Sequence, residues 1–181
     1  MELAIKKTLI HPKADADKRL LFKEKIKHYQ TQGLNLVYLD ESGFVHDMPR
    51  LHGYAPIGQR CYGTHDWKAY ARTNAIGALI GARLITVSLF QTNIDTLIFK
   101  SWLEQDLLPK LPTQCIIVMD NAAFHKTLEV KNLIQEAGHI LEYLPPYSPD
   151  LNPIEKKWAH AKAIRRNFQC DIDDIFQHHS V

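Results

Sequence analysis

The chain has 181 residues, 45% hydrophobic and 23% charged, enough for one domain with a sizeable core that needs no covalent staples. No apolar stretch reaches about 18 residues, which excludes a membrane-spanning helix. The start, Met1 to Lys7, lacks the apolar core of a signal peptide, and a net charge of +2 says little about partners.

Residues 1–12 read as a basic tether broken at Pro12. From Asp15 to Gln32, apolar Leu20, Leu21, Ile26 and Tyr29 recur at a period of three to four, and Gly33 stops the run, which predicts a helix. Residues 34–40 read as a buried strand, followed by a turn at Ser42-Gly43 and an irregular segment of short strands and turns over 44–62. Residues 73–80 and 83–90, separated by Gly81-Ala82, predict a hairpin. Ile94 to Leu108 reads as a helix closed by Pro109 and Pro112, 115–120 as a second buried strand, and Thr127 to Ala137 as a helix stopped by Gly138. A short strand over 139–144 and a proline-rich loop, Pro145 to Asn152, lead to a basic helix running to about Arg166, with Asn152 as its cap and Pro153 in the first position. The order predicts an α/β three-layer fold: a mixed five-stranded sheet, antiparallel first and parallel later, with helices on both faces. A linker and helix over 1–33 would precede a domain over 34–181.

Three acids stand out. Asp40 closes the apolar run Leu36-Val37-Tyr38-Leu39, and Asp120 closes Ile116-Ile117-Val118-Met119. Glu155 lies in the first turn of the basic helix. Taken singly, each has a plain structural reading: Asp40 caps the turn at Glu41-Ser42-Gly43, Asp120-Asn121 is a common turn, and Glu155 complements the helix dipole. Taken together, two acids on neighbouring parallel strands and a third on a helix are the hard oxygen ligands that a pair of magnesium ions requires. Glu41 would point to the opposite face of its strand and so is the weaker ligand. His125, five residues past Asp120, is either a satisfied loop residue or a group near the scissile phosphate. Basic residues gather at the ends of the chain: eight Lys/Arg against four acids over 1–28, and five Lys/Arg with no acid over 156–170. The latter, Lys156, Lys157, Lys162, Arg165 and Arg166, read as solvated helix faces or, beside an acidic metal site, as a phosphate track. Cys61, Cys115 and Cys170 form no CxxC pair, so neither a zinc site nor a disulfide framework is indicated, and a reducing cytoplasm fits best.

Val118-Met119-Asp120-Asn121-Ala122-Ala123-Phe124-His125, followed by Leu144-Pro145-Pro146-Tyr147-Ser148-Pro149-Asp150-Leu151-Asn152-Pro153-Ile154-Glu155, resembles the DDE transposases of bacterial insertion sequences related to mariner. Tyr38-Leu39-Asp40-Glu41-Ser42-Gly43-Phe44 is similar to their first acidic motif, and the 34 residues between Asp120 and Glu155 match the spacing of that superfamily. The resemblance implies a ribonuclease H-like core with Asp40, Asp120 and Glu155 as catalytic metal ligands. Asp40 would bridge two Mg²⁺ ions, for which Mn²⁺ can substitute, and Asn121, His125 and Asn152 would lie at the periphery. It implies cleavage of DNA at transposon ends and strand transfer into a target, a TA dinucleotide in the related elements, by a homodimer associated with the bacterial nucleoid. Two other readings stand beside it: a ribonuclease H-like nuclease, and an inactive DNA-binding remnant. Only some 33 residues precede the first acidic strand, too few for the helix-turn-helix domains that family members carry there, and the 26 that follow Glu155 leave little room for a C-terminal extension. A truncated copy, or a separately encoded helix-turn-helix partner, is the expectation that follows.

Overall fold

The computed structural model describes residues 11–45, 54–62 and 72–178. Helix α1 (Ala16–Thr31) begins where the Asp15 carboxylate accepts hydrogen bonds from the amides of Asp17 and Lys18, 3.0 and 3.1 Å away. It ends at Gly33, whose φ of +75° reverses the chain into strand β1 (Asn35–Val45). The hairpin β2 (Arg72–Ile80) and β3 (Arg83–Phe90) follows. Helix α2 (Thr96–Trp102) is capped by Asp95 and passes into a π-helical turn, Leu103–Leu107. Strand β4 (Cys115–Met119), helix α3 (Leu128–Glu136), strand β5 (Ile140–Tyr143) and helices α4 (Ile154–Phe168) and α5 (Ile172–His178) complete the order.

The sheet runs β3-β2-β1-β4-β5, with β1, β2 and β3 antiparallel and β4 and β5 parallel to β1. Alternation along β1 and β4 divides the core. Val37, Leu39, Ile117 and Met119 face α2 and α3 with Phe99, Leu103, Val130 and Ile134. On the other face, Ile116 and Val118 meet Phe22 and Ile26 of α1, while Phe44, Ala75 and Leu79 meet Ile154, Trp158 and Ala161 of α4. The α/β plan of three layers around a mixed five-stranded sheet is therefore the observed one. Helix α1 packs on the same face of the sheet as α4.

Four elements differ from expectation. Strand β1 does not stop at Asp40: β2 supplies ladder partners as far as Val45, so Ser42 and Gly43 pair with Ala75 and Asn74 instead of turning. Of the segment read as irregular, 46–53 lies outside the described residues, and 54–62 forms neither helix nor strand. On α1 the buried apolar residues are Phe22 and Ile26, whereas Leu20 and Leu21 face outward. The single helix expected over 94–108 changes to wider π-helical hydrogen bonding at Leu103, where Leu103 and Leu107 are both buried and Asp106 accepts from Thr86 and Ser88 of β3.

Candidate active site

The register of the sheet sets the first two acids side by side. Tyr38 of β1 pairs with Val118 of β4, and the same offset two residues on brings Asp40 to Asp120, where the strands part. On its other side Asp40 pairs with Gly77 of β2. That glycine carries the third acid indirectly. A Cβ at Gly77 would lie 2.6 Å from Cη2 of Trp158, so only a bare backbone lets the indole seat α4 against the sheet. Trp158 follows Glu155 by one helical turn and is almost wholly buried.

Asn152 ties the same helix to β1 by a second route. It does not cap α4 as the Asn-Pro order predicts. Pro153 occupies the cap position with no side-chain bond, and the Asn152 Nδ2 donates to the carbonyl of Leu39, 3.1 Å away and one residue before Asp40. The tie is 3% exposed, and its Oδ1 has no protein donor. Asn152 thus joins the strand of the first acid to the helix of the third.

Asp40, Asp120 and Glu155 line one cavity of about 380 Å³, whose walls also include Asn121, Ala122, Asn152 and the loop from Leu144 to Pro149. No group of three or more His, Cys, Asp or Glu side chains among the described residues is gathered tightly enough to hold a metal by itself. The triad therefore converges on one cavity, but less closely than the ready-made cage that the motif spacing suggests. The three carboxyls are not equivalent. Burial, with the neighbouring charges of Glu155, Glu41 and Asp120, pushes Asp40 up to about 8. Asp120 is held below the usual carboxylate range, chiefly by its hydrogen bond with His125 and by the amide of Ala122, which outweigh burial. Glu155 is raised as the cavity walls strip part of its hydration, with Asp120 adding to the shift and Lys162 opposing it.

His125 lies beneath the site, not in it. Its ring is fully buried against Phe99 and Phe124. Nδ1 is 2.7 Å from Asp120 and Nε2 is 2.9 Å from Glu41. Burial opposes its charge, but the two carboxylates prevail and push the imidazole up to about 9, so both nitrogens donate at neutral pH. Glu41, on the opposite face of β1 from Asp40 as alternation requires, thereby braces Asp120 through the histidine. Nothing in sequence spacing joins residues 41 and 125, and that link emerges only from the fold. Asn121 donates to the carbonyl of Leu144, fastening the end of β4 to the proline-rich loop.

The basic residues of α4 separate by face. Lys156 is exposed, Lys157 and Arg166 are half-buried, and Lys162 lies over the ring of Phe44, 5.5 Å from its centre. Arg165, expected with them, is buried and donates to the carbonyl of Val45. Positions 158, 161 and 165 share the inward stripe of the helix, which removes it from an outer track.

A mixed five-stranded sheet with helices on both faces, with one acid inside β1 and another just past the end of the parallel neighbour β4, has the ribonuclease H-like architecture seen in the Mos1 transposase structures. The chain belongs to the DDE superfamily endonucleases, whose family pattern it matches over residues 35–175. Among solved structures it is similar to the Mos1 transposase paired-end complex with left transposon end, with a TM-score of 0.71 and 17% identity over 91% of this chain and 53% of that one. The mariner Mos1 paired-end complex with Mg gives a TM-score of 0.70 and 17% identity over 90% and 53%. The catalytic domain of Mos1 mariner transposase gives 0.58 and 14% over 86% and 74%. At these identities the likeness is one of fold, and the chain spans about half the length of the Mos1 chains in the paired-end complexes. No curated protein matches it. No helix among the described residues is long and apolar enough to cross a membrane.

Proposed function

We propose that this chain is the catalytic domain of a transposase that cuts DNA at transposon ends and joins them to a target, with Asp40, Asp120 and Glu155 as its catalytic residues. The observation that carries this is the arrival of three carboxyls from β1, β4 and α4 at one cavity, with Asp40 raised to about 8 by burial and by the other acids. Such a donor set fits hard divalent cations, Mg²⁺ or Mn²⁺, which Asp40, Asp120 and Glu155 would hold. Bound there, the ions supply Lewis-acid stabilisation of the charge that develops on the phosphate. Asp120 is kept ionised by His125 and the Ala122 amide, so it enters the reaction as a ready anion. Lys156, Lys157, Lys162 and Arg166 offer cations to the phosphates on either side, and Lys162 offsets the charge of Glu155 as well. A homodimer, TA targets and a separately encoded end-recognition partner fit the family resemblance and belong to this proposal.

The test is an oligonucleotide assay with Mg²⁺, with Mn²⁺ and with neither, scoring cut and joined products for the wild type and Asp120→Asn. Metal-dependent cutting and joining, reduced by at least a thousandfold (roughly 4 kcal/mol of barrier) in a variant that still binds DNA, is the expected outcome. Cutting without joining would leave a nuclease on the same fold, and equal activity in the variant would remove the mechanism.

A further inference from the structure

The cavity has an aromatic wall that the reaction above leaves unused. Tyr147 follows Pro145-Pro146 and precedes a short turn, Pro149–Leu151. Its φ is +57°, in the left-handed region that residues with a Cβ rarely adopt. The loop is pinned on both sides of it. Asn121 donates to Leu144 ahead of the tyrosine. Behind it, the Ser148 hydroxyl donates to the carbonyl of Pro146, and Asp150 accepts two hydrogen bonds from the Arg19 guanidinium. The residue so held is 51% exposed and lines the cavity that contains the three acids. The imidazole of His11 lies flat on it, ring centres 4.5 Å apart and planes 9° from parallel.

From this geometry we infer that Tyr147 is a stacking platform for a nucleobase next to the phosphate being cut, and that the His11 imidazole occupies the place of that base. The inference rests on the cavity being a DNA-cleaving site. A strained backbone held by a braced loop marks a side chain whose position matters. The parallel stacking of His11 shows that one face of the ring accepts a planar heteroaromatic group. Bases present that face whatever their sequence, so the platform would hold a nucleotide without reading it. With both the ring and the acids in a cavity of about 380 Å³, the stacked base belongs to a nucleotide flanking the attacked phosphate, turned out of its duplex.

The test uses the full chain and a thymidine oligonucleotide carrying one 2-aminopurine. Binding to the wild type should quench its fluorescence. Tyr147→Phe should bind and quench equally, since stacking needs the ring and not the hydroxyl. Tyr147→Ala and Tyr147→Leu should bind about 5- to 150-fold more weakly, with fluorescence retained. His11→Ala should bind more tightly, because a competitor for the ring is gone. The leucine variant guards against an effect of reduced bulk, and all substitutions keep a Cβ at the strained position. Unchanged affinity and quenching in the alanine and leucine variants, or an equal weakening in the phenylalanine variant, would overturn the stacking site. If the wild type neither binds the oligonucleotide nor cuts DNA with Mg²⁺, the DNA-cleaving reading fails and takes this site with it. If the wild type binds and cuts and only the ring proves irrelevant, the platform alone is wrong.

Discussion

Asp40 is a cost to the fold that the proposed catalytic role explains. Burial and the surrounding acids push its carboxyl up to about 8, against 3.8 for an ordinary aspartate, so folding penalises the ionised form. The sign follows directly. Below about pH 4 the group is protonated in both states and contributes no penalty, and as the pH rises toward 8 the penalty grows. Asp40→Asn should therefore stabilise the metal-free protein at pH 8, with little effect at pH 4. Denaturant unfolding in a chelator measures both values. Saturating Mg²⁺ should narrow the gap by stabilising only the wild type. A variant no more stable than the wild type at pH 8 would show that the charges around Asp40 are already compensated.

At the scale of elements, the site depends on how closely α4 approaches the sheet. Gly77→Ala would drive a Cβ into a buried indole with nowhere to move, at a cost of about 1–3 kcal/mol. The helix would yield, and Glu155 would move with it. Cleavage should fall by roughly a hundredfold while the protein stays folded, since small displacements of a catalytic group are expensive. Adding Trp158→Phe should restore part of the activity, and purely additive effects in that double-mutant cycle would deny the indole its role. Much of this arrangement was legible in the sequence. Apolar runs ending in acids marked β1 and β4, and glycine stops marked the ends of α1 and α3. What escaped were relations across the chain. The extension of β1 to Val45 needs the pairing of β2, and the bond from Asn152 to Leu39 needs α4 against β1. Helix α5 did carry a signal: Ile172, Ile175 and Phe176 recur at helical spacing, and they close on Phe44 and Trp158. So short a segment is helical mainly because that cluster accepts it. Arg165 shows the converse, a charge in a basic run that the inward stripe of its helix claims.

Across the whole molecule, a net charge of +2 conceals a separation, with acids in the cavity and cations along the outer part of the following helix. If DNA lies along α4, Lys162→Ala with Arg166→Ala should reduce the slope of log affinity against log salt by about 2, one for each phosphate that is no longer neutralised. An unchanged slope would place the DNA elsewhere. The Arg19–Asp150 pair joins α1 to the loop before Glu155, so the helix preceding the first acidic strand also helps to hold the third acid. The claim beneath all of this is that Asp40, Asp120 and Glu155 act on the same cations. Crystals soaked in Mn²⁺ and measured at the manganese absorption edge test it directly. The account predicts anomalous peaks within ligand distance of Asp40 and of Asp120 or Glu155, whereas peaks confined to other residues, or none at saturating Mn²⁺, would contradict it.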